Sequence, residues 1–362
     1  MAMIGMVLQQ PHIAAFRNIF KYERISLPPP MKPVKEIAPS IYQVLLPLPF
    51  ALRIVNCYLI RDTEGWTIID TGLHIPEGPQ TWLQAFSDLN IRPGTLQRII
   101  LTHYHPDHYG LSGWLQSWHA EQGYPPPPVF ISAIDGEQAR IIFQSDGRQV
   151  SVLMDFFRRC GMPDDLAQLL TEDIQKLHRL LQPPPDRFHI LSPGETLAVG
   201  DYRFHIIHTP GHSDGHLVFW DEASRILLCG DHVLQHITPN ISQWPTTAAN
   251  PLGRYIASLK QLESLPVQKA LPGHGPIITD WQGRLQELQH HHEERLAHMY
   301  DAVQPSASVY DVATQVFDFP SLSYHEMRFA IAETRAHLEH LVHLGELALS
   351  ENGVWRYEKS SQ

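Results

Sequence analysis

Three histidines and an aspartate fall within the short segment THYHPDH (102–108): His103, His105, Asp107 and His108. Farther along, TPGHSDGH (209–216) presents His212, GDH (230–232) presents Asp231, and LPGHG (271–275) presents His274. Imidazole nitrogens and carboxylate oxygens are donors that suit zinc and similar divalent ions. Taken alone, 102–108 also reads as a polar loop of solvated histidines. The other segments weigh against that, because each repeats one arrangement. A short apolar strand stops, and a glycine-containing turn offers a His or an Asp. RIILT stands before His103, YRFHIIH before His212, RILLC before Asp231 and VQKAL before His274. Asp70 follows WTII in the same way. Glycine lets the backbone turn tightly and approach an ion closely. If these strands share a sheet, their ends can converge on one point.

The elements that must position these residues follow from apolar patterning. Strands are predicted at 41–47, 55–60, 66–70, 98–102, 202–208, 216–220, 225–229 and 267–271. Helices are predicted at 76–89, 110–122 and 251–265. Residues 135–182 lack strand character and read as two or three helices, closed by PPP at 183–185. A long helix near 281–303 carries Leu285, Leu288, His292, Leu296, Met299 and Val303 on one stripe. Another is expected near 323–344, with Phe329, Leu338, Leu341 and Leu344 on an apolar stripe. ALSENGVWRY (348–357) reads as a hairpin around Asn-Gly, so helices followed by a two-stranded wing are expected at the end of the chain.

The pattern HxHxDH, followed by single His, Asp and His residues at the ends of later strands, resembles the metallo-β-lactamase superfamily over roughly residues 36–303. That resemblance implies an α/β fold, a four-layer αββα sandwich. It implies two divalent metal ions, with zinc expected and iron or manganese as alternatives. His103, His105 and His212 would hold the first ion, and Asp107, His108 and His274 the second. Asp231 would bridge the two, and Asp70 would support the ligand loops. Asp107 and Asp231 are the expected catalytic residues. Position 105 is His where the flavodiiron branch places Glu, which argues against a redox role. The finer resemblance is to glyoxalase II and to lactamase-β-like hydrolases with a C-terminal winged helix. The domains expected are an N-terminal extension at 1–35, a hydrolase domain at 36–303 with a helical insertion at 135–182, and a small winged-helix domain at 304–362.

The function implied is hydrolysis by a metal-bridging hydroxide, most simply of a thioester or ester on a glutathione- or coenzyme A-type carrier. The alternatives are a single-stranded RNA endonuclease and a lactone or other small-molecule hydrolase; a binding protein with a spent site would need a broken ligand set. Tyr104 and Tyr109 flank the first cluster and could contact substrate or simply pack. His216 and His232 neighbour ligands and could support them. His205 and His208 read as packed or hydrogen-bonded, and His290, His291 and His292 as a helix surface. Phe156, Phe157 and Met154 are expected as apolar contacts if the block 135–182 covers the site. The net charge of −11 weighs against nucleic acid as the main partner, and from 304 onward four basic residues face eight acidic ones. No DNA and no membrane partner are expected, while self-association stays open. Three cysteines without a CxxC pair suggest a reducing compartment, and the start of the chain lacks a charged signal-peptide region, so a cytoplasmic protein is expected.

Overall fold

The computed structural model describes residues 34–49, 51–143, 149–178, 185 and 187–360. The expected extension 1–35 lies outside the described residues except for Val34 and Lys35. The first sheet holds seven strands in chain order: β1 (Val34–Ala38), β2 (Ile41–Pro47), β3 (Ile54–Asp62), β4 (Gly65–Ile69), β5 (Leu96–Ile100), β6 (Val129–Ser132) and β7 (Phe188–Leu191). β1 to β4 form an antiparallel meander, and β4 to β7 run parallel. The second sheet orders its five strands β12-β11-β10-β9-β8: β8 (Thr196–Val199), β9 (Tyr202–His208), β10 (Leu217–Asp221), β11 (Ile226–Gly230) and β12 (Lys269–Pro272).

The period of two in each strand explains the layering. On β3, Tyr58 and Ile60 join Phe204, Leu217, Phe219 and Leu228 in the core between the sheets. Val55, Cys57 and Leu59 point the other way, to Trp82 and Phe86 of α1 (Glu77–Asp88) and Leu115 on a helix at Ser112–Glu121. On β10, Val218 and Trp220 likewise face outward, to helices at Pro251–Leu262 and Trp281–Ala302. Helices therefore cover both outer faces, and the fold is the expected αββα sandwich.

Continuing in chain order, α2 is Pro106–Tyr109, α3 is Ser112–Glu121, α4 is Ala133–Phe143, α5 is Gln149–Arg159 and α6 is Asp164–His178. β6 and β7 are neighbours running parallel, so the chain between them must cross over the sheet. In the helical block predicted at 135–182, the described residues form α4, α5 and α6 between these two strands, and 144–148 and 179–182 lie outside the described residues. Five strands escape the sequence reading: β1, β6, β7, β8 and a three-residue strand at Ser306–Ser308 that adds a third strand to the expected two-stranded wing. β6, β7 and β8 have four residues each, too few for a clear alternation, and β6 directly follows the run PPPP.

α7 (Pro251–Leu262) and α8 (Trp281–Ala302) lead into the last unit. It comprises β13 (Ser306–Ser308), α9 (Val309–Val316), α10 (Tyr324–His343), β14 (Leu347–Ser350) and β15 (Arg356–Lys359), with the strands ordered β13-β15-β14. Ser308 with Asp311, and Ser323 with Glu326, form capping boxes that start α9 and α10. The hairpin expected around Asn352-Gly353 forms, but Glu351–Trp355 make a longer loop. Trp355 is drawn out of the strand: its N–H donates to the Arg159 carbonyl at 2.7 Å, and Arg335 sits 3.6 Å over its ring. Phe156 and Phe157 are buried against Trp244, and Phe156 also against Trp355. They thus dock α5 to its neighbours, while Met154, the third apolar contact expected there, is half-buried. On α8 the surface expected at 290–292 is only partly one: His290 is exposed, but His292 is buried between Tyr255 and His337. On α10, Leu338 and Leu341 are buried as expected, whereas Leu344 is exposed.

Candidate metal centre

Each candidate ligand sits just past a strand end, where the backbone is already held by the sheet. Asp70 follows β4 in the left-handed region (φ 57°). Its carboxylate accepts from the Thr102 N–H and hydroxyl, both at 2.8 Å, and lies 2.8 Å from His108 Nδ1. It therefore ties the turn after β5 to the imidazole of His108, the supporting role expected of it. The His274 turn is held from β3: Asn56 donates its side chain to the Pro272 and Gly275 carbonyls, and Tyr58 donates to Pro272 at 2.6 Å. His274 Nδ1 faces the Ile54 carbonyl at 2.8 Å, which leaves Nε2 directed inward. Gly273 is required here, because a Cβ would collide with Asp231 Oδ1 and the His108 ring.

The seven candidates converge as two groups. His103, His105 and His212 form one, and Asp107, His108, Asp231 and His274 the other, each with its donor atoms within 4.8 Å of one another. His105 Nδ1 and His212 Nε2 are 2.8 Å apart. Asp231 faces both groups. Its Oδ1 is 3.3 Å from His108 Nε2, and its Oδ2 is 3.4 Å from His274 Nε2 and 3.6 Å from His212 Nε2. Asp107 Oδ2 is 3.1 Å from His274 Nε2.

The donor chemistry fits divalent ions. His103 Nε2, His108 Nε2, His274 Nε2 and Asp231 Oδ1 are buried and have no hydrogen-bond partner. Such orphaned atoms, one in the first group and three in the second, call for ligands. The electrostatics of the groups differ. Burial, and then the neighbouring imidazoles, hold His103 well below its ordinary pKa, and His105 falls to about 3. Burial opposes charge on His274 too, but Asp231 and Asp107 override it and raise the pKa to about 10. His108 is raised in the same way, burial being overcome by Asp231, Asp70 and Asp107. Burial alone would raise Asp107 and Asp231; the facing His108 and His274 instead lower both. One group thus offers neutral imidazole lone pairs, and the other is an anionic pocket that draws positive charge.

The other singled-out residues sort by packing. His216 and His232 are buried beside the groups but belong to neither: His216 Nδ1 meets Thr209 Oγ1 at 3.1 Å, and the His232 ring lies 4.9 Å from Tyr255. His208 Nε2 faces the Asp214 carbonyl at 2.8 Å and His205 is exposed, as expected of non-ligands. Tyr109 is buried in the outer core beside Phe188, the packing side of its two readings. Tyr104 is buried, with its ring 4.9 Å from His105. Sequence reasoning missed Asp135, at the start of α4. It accepts from Ser213 Oγ and Gly215 N at 2.6 Å and from Tyr104 N at 3.3 Å, so it clamps the loop of His103 and His105 to the loop of His212. Burial raises its pKa to about 7, against those three hydrogen bonds. A lone aspartate opening a helix carries no sequence signal of such a role. Asn240 was missed too: its carbonyl orients His212 Nδ1 at 2.9 Å.

Residues 51–274 match the sequence profile of the metallo-beta-lactamase superfamily. The chain belongs to the metallo-β-lactamase superfamily. It is an enzyme, a hydrolase of that superfamily, and residues 296–360 match the metallo-beta-lactamase-like C-terminal domain. A metallo-beta-lactamase family protein from Thermus thermophilus is similar in structure, with a TM-score of 0.79 and 29% identity over 90% of this chain and 100% of that one. A beta-lactamase domain protein from Burkholderia ambifaria has a TM-score of 0.78 and 26% identity, covering 94% of this chain and 98% of that one. Among relatives by sequence, a "probable metallo-hydrolase" of Bacillus subtilis is 26% identical over 83% of this chain and 91% of its own length. An atrochrysone carboxyl ACP thioesterase of Cryptosporiopsis sp. is 26% identical over 76% of this chain. The chain spans only 66% of that thioesterase's length.

Proposed function

We propose that this metallo-β-lactamase superfamily member is a dinuclear metal-dependent hydrolase acting on thioesters or esters of a small acyl carrier, of the glutathione or coenzyme A kind. The observation that carries the reading is the placement of Asp231 between an all-imidazole group and a carboxylate-bearing group. His103, His105 and His212 would hold one ion, Asp107, His108 and His274 the other, with Asp231 between them. Zinc suits this donor set, with iron or manganese as alternatives. Two such ions, when bound, lower the pKa of coordinated water to about 7 and polarise the bond under attack. The chain's own residues supply the rest. Asp70 fixes the tautomer and direction of His108. Asn240 and Asp135 hold the His212 loop. Asp107 is the more exposed carboxylate, its side chain at 19% against 9% for Asp231. It is the group placed to take the proton of the attacking water and return it to the leaving thiol.

Resemblance of the TPGHSDGH segment to glyoxalase II, and the thioesterase among the relatives, favour a thioester over a phosphodiester. The acidic balance of the chain works against RNA. All three cysteines are buried and unpaired, in keeping with a reducing, cytoplasmic setting. Among the described residues no helix is long and apolar enough to cross a membrane. We read the last unit as a winged helix that packs on the hydrolase body. A panel of thioesters, lactones, phosphodiesters and single-stranded RNA, assayed with metal-loaded protein, tests the reading. Turnover confined to phosphodiesters or RNA would replace it.

A further inference from the structure

The helix α10 carries a guanidinium that forms no ion pair with any carboxylate among the described residues. Arg328 is only 6% exposed. Its Nε has no hydrogen-bond partner. The side chain that meets it is His325, whose Nδ1 lies 2.9 Å from Nη2, and the Phe329 ring lies 4.7 Å from its Cζ. Asp173 on α6 is felt through space but makes no ion pair with it. Burying a cation without an anion destabilises the folded chain, and strongly perturbed charged groups cluster at functional sites.

The position of Arg328 says which ligand. α10 runs beside the metal centre. Asn240, whose carbonyl orients His212, receives a partner from α10: its side chain donates to Glu333 at 3.1 Å. The Gln243 N–H donates to the Ala332 carbonyl at 3.0 Å. Ala332 lies one turn after Arg328 on the same helix. Arg328 therefore sits one turn before the stretch of α10 that accepts from Gln243 and reaches His212 through Asn240. Half-buried rings flank it: His325 and Phe329 are 5.1 Å apart, and Trp244 is 6.5 Å from Phe329.

We propose that Arg328 binds an oxyanion carried by the substrate away from the bond that breaks: a carboxylate or a phosphate on the thiol carrier. A guanidinium suits this task because its planar fork meets either oxyanion with two parallel hydrogen bonds. The inference rests on the thioester reading and deepens it. It gives the C-terminal unit a part in substrate choice, since that unit supplies the binding group.

The full chain, loaded with zinc, is to be assayed on three acetyl thioesters: of N-acetylcysteamine, which is neutral, of glutathione, which carries carboxylates, and of coenzyme A, which carries phosphates. Arg328→Met is expected to raise KM at least ten-fold more on the anionic carrier that is recognised than on the N-acetylcysteamine ester, and Arg328→Lys to recover part of the difference. A selective effect with glutathione assigns the carboxylate; one with coenzyme A assigns the phosphate. Equal losses on all three esters overturn the proposal. A second measurement needs neither metal nor turnover. Succinate or inorganic phosphate is expected to raise the Tm of metal-free wild-type protein but not that of Arg328→Met. If the wild type cleaves none of the thioesters, the functional reading falls and this comparison alone decides the role of Arg328. Without added anion, Arg328→Met is expected to unfold no earlier than the wild type, because an unpaired buried charge has been removed. A Tm lowered by several degrees would make Arg328 a structural residue and overturn the inference.

Discussion

Asp231 and Asp70 touch the same imidazole, His108, from opposite sides, yet the consequences of losing them differ. Asp231 faces both ligand groups, so its removal disturbs both. Asp231→Ala is expected to retain its far-ultraviolet circular dichroism, because the residue lies in the turn after β11 and contributes no apolar packing. Its turnover is expected to fall by about 10²–10³-fold or more, with metal content reduced. A variant with near-normal metal and activity would show Asp231 to be a bystander. Asp70 acts one step removed, holding His108 Nδ1 at 2.8 Å. Asp70→Asn is expected to weaken metal affinity by about 10- to 100-fold, measured by competition with a chelator, while the ligands themselves stay in place.

Elements carry a different lesson. The ligand-bearing strand ends were legible because apolar runs such as RIILT and RILLC stop abruptly at a His or Asp. β6, β7 and β8 were not, because a four-residue strand paired in parallel or at an edge leaves no alternation to read. The docking of α5 was illegible for a further reason: Phe156 meets Trp355 across most of the chain, and nothing local marks that pairing. Phe156→Ala should therefore behave as a core truncation, costing about 3–5 kcal/mol in urea denaturation, and not as a change in substrate preference. The seam between α8 and α10 has its own pH dependence. Burial lowers His292 to about 2 and His337 to about 3. In the unfolded chain both titrate near 6.5, so below that pH the unfolded state binds protons that the folded state refuses. The contribution of this seam to stability is expected to be flat above about pH 6.5 and to fall as pH drops below it. His292→Leu should make that acid slope shallower by up to about 1.4 kcal/mol per pH unit. Parallel slopes for variant and wild type would show that the seam does not titrate.

For the whole molecule, two complete ligand groups predict about two equivalents of bound metal per chain, to be counted by elemental analysis of protein purified without chelator. Persistent absence of transition metal, with no activity on adding it back, would remove the dinuclear reading. The last unit tests the expectation about nucleic acid. Its long helix α10 turns Ala330, Ile331, Leu338 and Leu341 into the interior, and its sequence is net acidic. A helix so committed has no free basic face for a groove, and phosphate contacts dominate DNA affinity. Duplex binding at physiological salt is expected to be absent; a sub-micromolar, salt-sensitive affinity lost on truncation at 303 would reverse that conclusion.

The hydrogen bonds running from Glu333 to Asn240 and from Asn240 to His212 make the two matched segments less separable than their boundaries imply. A chimera whose incoming helix lacks an acceptor at position 333 would still assemble, but the Asn240 turn would be left untethered and the aim of one imidazole would slacken. Inheritance of this tail is therefore tied to the precision of the catalytic body, and the two are expected to travel through evolution as one piece.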